Sequence, residues 1–194
     1  SAAGAVDIDE LLAFAERDFG AAATGAPEVH APAAQFTGGV RKMSKSLEQA
    51  NVVFLLPAVG ARHPDYFALR LFAEILGGGM ASRLFQEARE KRGLAYAIDA
   101  YSDTYADGGL LGVFAGCAAK DAAELAQVAA HEIANLARTL TDPELRRAKA
   151  QLKGSMFMAR ESPASRAEQA AAQAALSDLA ARRGLDREWV RQAI

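Results

Sequence analysis

Three consecutive glycines, Gly77-Gly78-Gly79, open onto Met80-Ala81-Ser82-Arg83-Leu84-Phe85-Gln86-Glu87-Ala88-Arg89-Glu90-Lys91-Arg92, and Gly93 then hands the chain directly to Leu94-Ala95-Tyr96. No other stretch of the 194 residues constrains the fold as tightly. Glycine runs end helices and allow the backbone to lie close to another surface. The apolar positions Leu84, Phe85 and Ala88 read as one face of a short helix from Ala81 to about Glu90. A glycine just past its end, followed by an apolar run, predicts a tight turn into a strand. Arg89 then stands at the end of a helix and Tyr96 at the start of a strand. A cation and a phenol held in that way can grip a peptide carbonyl from one cleft. Taken alone, the same residues also read as one charge in a solvated Arg-Glu-Lys-Arg run and as an edge-strand aromatic.

The elements around this stretch follow from local signals. Asp7 to Phe19 reads as a helix, with Asp7 and Glu10 as a capping box and Leu11, Leu12, Ala15 and Phe19 on its apolar face. Gly20 to Pro32 reads as a linker of small residues punctuated by Gly and Pro. Two strands are expected between Phe36 and Val59. The second, Asn51-Val52-Val53-Phe54-Leu55-Leu56, is a nearly continuous apolar run of the kind buried on both faces. Pro64 suits the first position of a helix to Leu76 with Phe67, Leu71 and Ile75 on one face. Leu94–Tyr105 and Leu110–Ala118 form the clearest hairpin, turned at Ala106-Asp107-Gly108-Gly109. Helices are expected over Asp121–Leu140, Pro143–Arg160 (Asp142 as cap) and Pro163–Ala181, with a short piece near Asp186. The order implies an α+β fold, a mixed or antiparallel sheet with helices packed on one face.

Composition excludes several classes. With 24 acidic and 22 basic residues interspersed, net charge −2, there is no basic stripe for nucleic acid. No run of about 18 apolar residues is present to span a membrane. A chain of this length buries roughly 70% of its unfolded surface and needs neither disulfide nor metal for a core. The single Cys117 reads as a small buried hydrophobe on a strand. Zinc requires converging ligands, but His30, His63 and His131 are scattered. His131-Glu132 begins like His-Glu-x-x-His, yet Asn135 holds the place of the second histidine. No metal site is expected on this chain. Gly-x-Ser-x-Gly is missing, as is any Gly-x-Gly-x-x-Gly or Gly-Lys-Ser phosphate loop.

The stretch from Gly77 to Tyr96 resembles the C-terminal half of pitrilysin/insulinase-family zinc peptidases, most closely bacterial relatives of the mitochondrial processing peptidase beta subunit. The likeness extends through Gly4-Ala5-Val6-Asp7, Leu47-Glu48-Gln49, His63-Pro64-Asp65-Tyr66, Tyr105-Ala106-Asp107-Gly108-Gly109-Leu110, Glu161-Ser162 and Ser165-Arg166-Ala167-Glu168-Gln169. It implies one half of a clamshell. Residues 1–35 are the end of the preceding N-terminal half plus a linker, and 36–194 a C-terminal substrate-binding domain that stops before the last helix and strand of the repeat. In that family the N-terminal half holds zinc through an inverted His-x-x-Glu-His motif and a distal glutamate. An arginine and a tyrosine seven residues apart on the C-terminal half bind substrate, and Arg89 and Tyr96 stand at that spacing, with Gly77, Gly78 and Gly79 as the substrate loop. The resemblance therefore implies a domain of a zinc metalloendopeptidase, inactive alone, with zinc on a partner half or subunit and a peptide or unfolded protein as substrate. The alternative is a non-catalytic scaffold of the same family. A cytoplasmic location follows from likeness to bacterial members, with the periplasm as the alternative. Alanine-rich helices after Asp121 could serve a homo-oligomer or ordinary internal packing.

Overall fold

The computed structural model describes residues 1–21, 32 and 34–182. The chain divides into two units, Ala33–Leu152 and a second made of Ser1–Pro32 with Lys153–Ile194. The larger unit is built on a three-stranded antiparallel sheet of order β1-β3-β2, with β1 Ala50–Ala58, β2 Ala97–Thr104 and β3 Gly109–Cys117. Around it lie α2 Tyr66–Gly77, a π-helix Phe85–Lys91, a 3-10 turn Ala119–Asp121, α3 Ala122–Thr139 and the start of α4 Asp142–Glu161. In the second unit, α1 is Ile8–Phe19 and α5 is Pro163–Arg182.

Register decides which side of the sheet is covered. Phe54, Val113 and Ala100 stand opposite one another, as do Val52, Ala115 and Ile98. Alternation puts these residues on one face, and there they join Ile75, Leu76, Leu84, Ala88, Leu125 and Leu136 in a single core. Burying each such leucine contributes about 1.5–3 kcal/mol. All the described helices of this core pack on that one side, which is the α+β arrangement read from the element order.

Residues Val53 and Leu55 alternate onto the other face and remain 53% and 46% exposed. The expectation that β1 is buried on both faces is therefore corrected: the described helices of this unit's core lie on one side of the sheet, so an unbroken apolar run ends half in the core and half outside it. Pro57 sits within β1 opposite Leu110. An edge strand tolerates its missing N–H, and β1 is an edge.

The first of the two strands expected between Phe36 and Val59 is also absent. Residues 34–47 carry no strand, and their side chains are exposed. A strand exists only with a partner, and among the described residues this segment does not pair with β1, which bonds to β3 alone. Gly38 and Gly39, the latter at φ 138°, further loosen this segment.

Three smaller corrections concern helix starts and faces. Helix α2 begins at Tyr66, not Pro64, because His63 organises a turn first: its Nδ1 accepts the Asp65 amide at 3.1 Å and its carbonyl accepts the Tyr66 amide at 3.0 Å. Phe67 lies off the core face, 62% exposed and edge-on to Tyr66, while Leu71, Phe72, Ile75 and Leu76 face inward. The cap of α4 is Thr141 rather than Asp142: its amide and hydroxyl both donate to the Glu144 carboxylate, at 2.9 and 2.7 Å. In return the Glu144 amide reaches Thr141 Oγ1 at 3.5 Å, which completes the two arms of a capping box.

In the second unit, Asp7 caps α1 by accepting from the Asp9 and Glu10 amides at 2.9 and 3.1 Å. The apolar residues of α1 are all exposed, Leu12 at 61% and Phe19 at 73%. Ser162 caps α5, its hydroxyl accepting the Ser165 amide at 3.4 Å. Most of the linker expected over Gly20–Pro32, and the piece expected near Asp186, lie outside the described residues.

Candidate functional site

The glycine segment is a structural joint before it is anything else. A Cβ on Gly77 would stand 2.2 Å from the Ala100 amide nitrogen, so only glycine lets the end of α2 touch the backbone of β2. Four of the loop's carbonyls have partners, those of Gly77, Gly79, Met80 and Ala81. Gly77 accepts the Gly79 amide, and Gly79 accepts both the amide and the hydroxyl of buried Ser82, at 3.0 and 2.6 Å. Met80 accepts from Gln86 Nε2 at 2.7 Å, and Ala81 from Arg147 Nη2 at 2.8 Å. Hydrogen bonds to these four carbonyls restrain the loop's shape. Its apex, Met80, is 76% exposed.

The helix after the loop is π-helical from Phe85 to Lys91. Such wider turns are rare and recur at functional sites. Leu84 and Ala88, both fully buried, anchor its inner side. It ends where Gly93 turns at φ 62°, a left-handed conformation that favours glycine. The Gly93 amide bonds to the Arg89 carbonyl at 3.1 Å and the Leu94 amide to the Ala88 carbonyl at 2.8 Å. Leu94 and Ala95 return to the core. Tyr96 then emerges 58% exposed, immediately before β2, with its amide tied to the Gly116 carbonyl at 2.8 Å. The helix end and strand start expected for Arg89 and Tyr96 are thus their observed places.

Charge around Arg89 is distributed unevenly. Lys91 pairs with Glu87, and Arg92 lies 3.6 Å from Glu124. Arg89 has no carboxylate partner among the described residues; its guanidinium lies over the Phe85 ring, 4.6 Å from the centroid. An aromatic face supports a cation without neutralising it. Arg89 and Tyr96 are both exposed, and no hydrogen bond joins them.

A second cluster, which the sequence reading missed, lies at the start of the same helix. Arg83 makes a two-pronged ion pair with Glu144, Nε–Oε1 2.7 Å and Nη2–Oε2 3.0 Å. It also donates to Thr139 Oγ1 at 2.6 Å and to the Thr139 carbonyl at 2.8 Å, with Glu132 3.8 Å away. The hydrogen bond from Arg83 holds the Glu144 carboxyl well down, at about 2. The Thr141-x-x-Glu144 spacing was a visible sign that Glu144 was engaged; nothing local marked Arg83.

Metal ligation does not fit the donors of the described residues. His63 spends Nδ1 on the Asp65 amide, His131 lies by Asn135 at 3.2 Å, and no three His, Cys, Asp or Glu residues converge among the described residues. Cys117 is fully buried, and burial together with Asp121 pushes its thiol up. No helix among the described residues is long and apolar enough to cross a membrane.

Comparison with known proteins converges on one family. Residues 1–152 match the family model described as "Peptidase M16 inactive domain". A protein of Rickettsia felis described as an uncharacterized zinc protease is 36% identical over 175 residues, 87% of this chain and 41% of that protein. The chain therefore spans about two-fifths of that relative's length. The crystal structure of a peptidase M16 inactive domain from Pseudomonas fluorescens aligns with a TM-score of 0.50 and 30% identity, over 56% of this chain and 27% of that one. A protease structure from Helicobacter pylori reaches a TM-score of 0.64 over 86% of this chain and 42% of its own, at 19% identity, a likeness of fold. In sequence and in fold, this chain belongs to the peptidase M16 family, as its inactive domain.

Proposed function

We propose that this chain is the substrate-binding half of a zinc metalloendopeptidase and that it completes an active site with a zinc-bearing half outside it. The observation that carries this reading is Arg89, an exposed guanidinium on a π-helix, stacked on Phe85 and without a carboxylate partner among the described residues, while its neighbours Lys91 and Arg92 have one. A cation kept available in this way suits a peptide carbonyl or carboxylate. The relatives' description as zinc proteases supports the assignment of the metal, and the lack of three converging donors among the described residues is in keeping with zinc held by the other half. Likeness to the mitochondrial processing peptidase beta subunit belongs to the same proposal.

On this chain the chemistry is binding and charge stabilisation. Arg89 holds the peptide, and Tyr96 donates a hydrogen bond where negative charge develops on the scissile carbonyl. A preorganised donor of that kind is worth roughly a hundredfold to a thousandfold in rate. The glycine loop, with Met80 at its apex, would line the approach.

The test is cleavage of a quenched fluorescent peptide by this chain alone, by the zinc-bearing half alone and by the two together. Cleavage only in the mixture, reduced about a hundredfold in kcat by Tyr96→Phe with little change in KM, is the expected result. A stable complex of the halves that cleaves equally well with Tyr96→Phe and Arg89→Gln would move the assignment to a non-catalytic scaffold.

A further inference from the structure

We infer that Arg83 is a positioning residue, which through Glu144 and Thr139 sets the pose of the helix that carries Arg89. This rests on the peptidase reading above.

The geometry supports it from three directions. Arg83 stands two residues before the π-helix Phe85–Lys91, so its guanidinium holds the entry of the element whose later turn bears Arg89. Its partners come from one corner of the fold, the last turn of α3 (Thr139 Oγ1 and carbonyl) and the first turn of α4 (Glu144). Glu144 is itself held in place by the Thr141 amide and hydroxyl. All of Arg83's hydrogen bonds therefore end on groups that cannot easily follow if the helix slides or rolls. The side chains of Arg83 and Glu144 are each only about one-sixth exposed, at 15% and 17%, so solvent competes weakly for them. Arg147, from the same corner, holds the Ala81 carbonyl at 2.8 Å, bracing the chain just before Arg83.

The ion pair at the far end of the helix is weaker than the one at its entry. Arg92 meets Glu124 at 3.6 Å with both side chains about half exposed, 49% and 56%. An exposed pair of this kind contributes about 1 kcal/mol at most. Leu84 and Ala88 keep the helix against the core, but apolar packing is non-directional and resists rolling weakly. Backbone hydrogen bonds at Gly93 and Leu94 fix where the helix ends, and the entry clamp is its stronger side-chain restraint. A misplacement on the scale of 1 Å can cost about a hundredfold where a bound group must meet its ligand.

The test is a double-mutant cycle between Arg83→Gln and Arg89→Gln in the full-length peptidase. It is read as the Kd of the quenched fluorescent peptide for the zinc-stripped protein, by anisotropy, and as kcat and KM for the zinc-loaded protein. Arg89→Gln should weaken binding about tenfold, the scale of one charged hydrogen bond. Arg83→Gln should weaken it by about three- to tenfold although it touches no peptide, and should add less than about twofold once Arg89 is already Gln. Arg83→Lys, which keeps charge but loses the two-pronged geometry, should recover part of the loss. It also carries the cycle if Arg83→Gln does not fold. Folded Arg83 variants with unchanged Kd, or an Arg83 effect of the same size in both backgrounds, overturn the positioning role while leaving the peptidase reading intact. An Arg89→Gln protein that binds and cleaves like the parent overturns that reading, and the positioning role with it.

Discussion

Two neighbouring parts of the larger unit, residues 77–96 and residues 34–58, have similar apolar content and opposite fates. In the first, loop carbonyls, helix ends and side-chain cations are engaged by named partners, and Leu84, Ala88, Leu94 and Ala95 lock the segment to the core. In the second, residues 34–47 run without strand pairing, Val40 and Met43 are 85% and 83% exposed, and β1 turns one apolar face outward. A trough of about 1760 Å³ lies along this side, lined by Phe36, Arg41, Val53, Leu55, Pro57 and Leu110 among others. The contrast concerns the reach of the interactions. Glycine turns, caps and ion pairs close locally or against one neighbour, whereas a strand needs a second strand at its edge.

Hydrogen exchange should show the contrast most strongly. The amides of Gln86, Gly93, Leu94 and Tyr96, all bonded to backbone carbonyls, should exchange roughly a thousandfold or more slowly than those of residues 38–45. Equal rates in the two segments would mean that residues 34–47 are paired in solution, and the comparison would fail.

Next in size is Gly77→Val. A Cβ there meets the backbone of Ala100 at 2.2 Å, and neither α2 nor β2 can move without disturbing the core. A loss of about 3 kcal/mol in urea denaturation is expected. A loss under about 0.5 kcal/mol would show that the joint between α2 and β2 is looser than its geometry implies.

Glu144→Gln follows, and its signature is in pH. The Glu144 carboxyl is lowered from 4.5 to about 2 in the folded state, first by the Arg83 hydrogen bond. A carboxyl with a depressed folded value stabilises above its unfolded value and loses that contribution as pH falls toward the folded one. The parent should therefore shed on the order of 2 kcal/mol between pH 4.5 and 2 that Glu144→Gln does not shed, because the variant has already lost it. Parallel pH curves for the two proteins would show that the ion pair is not formed in solution.

What could be read in advance follows the same division. The glycine run, the Asp107-Gly108 turn and the Ser162-Pro163 start each announce an element through its own residues, and the order of strands and helices came with them. The seven-residue offset from Arg89 to Tyr96 was visible too. The π-helical winding, the Phe85 ring beneath Arg89 and the Arg83–Glu144 clamp were not, because each depends on what the chain meets after folding; Arg83 and Glu144 are 61 residues apart. The strand expected near Phe36 failed for the same reason. Its composition permits a strand, yet it does not pair with the edge that β1 leaves open among the described residues.

The smallest expected effect separates the two faces of the sheet most cleanly. Val53 on β1 and Val113 on β3 are the same residue type in the same sheet. Val53 is 53% exposed on the outer face, and Val113 is fully buried beneath the helices. Val→Thr exchanges a methyl for a hydroxyl at nearly constant shape. At Val113 the hydroxyl is buried among Ile98, Ala115 and Leu125, and the loss of stability should be on the order of 1–3 kcal/mol. At Val53 water can satisfy it, and the change should stay within about 0.5 kcal/mol. Urea midpoints of the two variants, measured side by side, are sufficient. If Val53→Thr costs as much as Val113→Thr, the outer face is covered in solution and β1 has a second apolar neighbour. If the costs differ as expected, the sheet is one-sided in this chain, and the apolar run of β1 carries more hydrophobicity than this chain's own core uses.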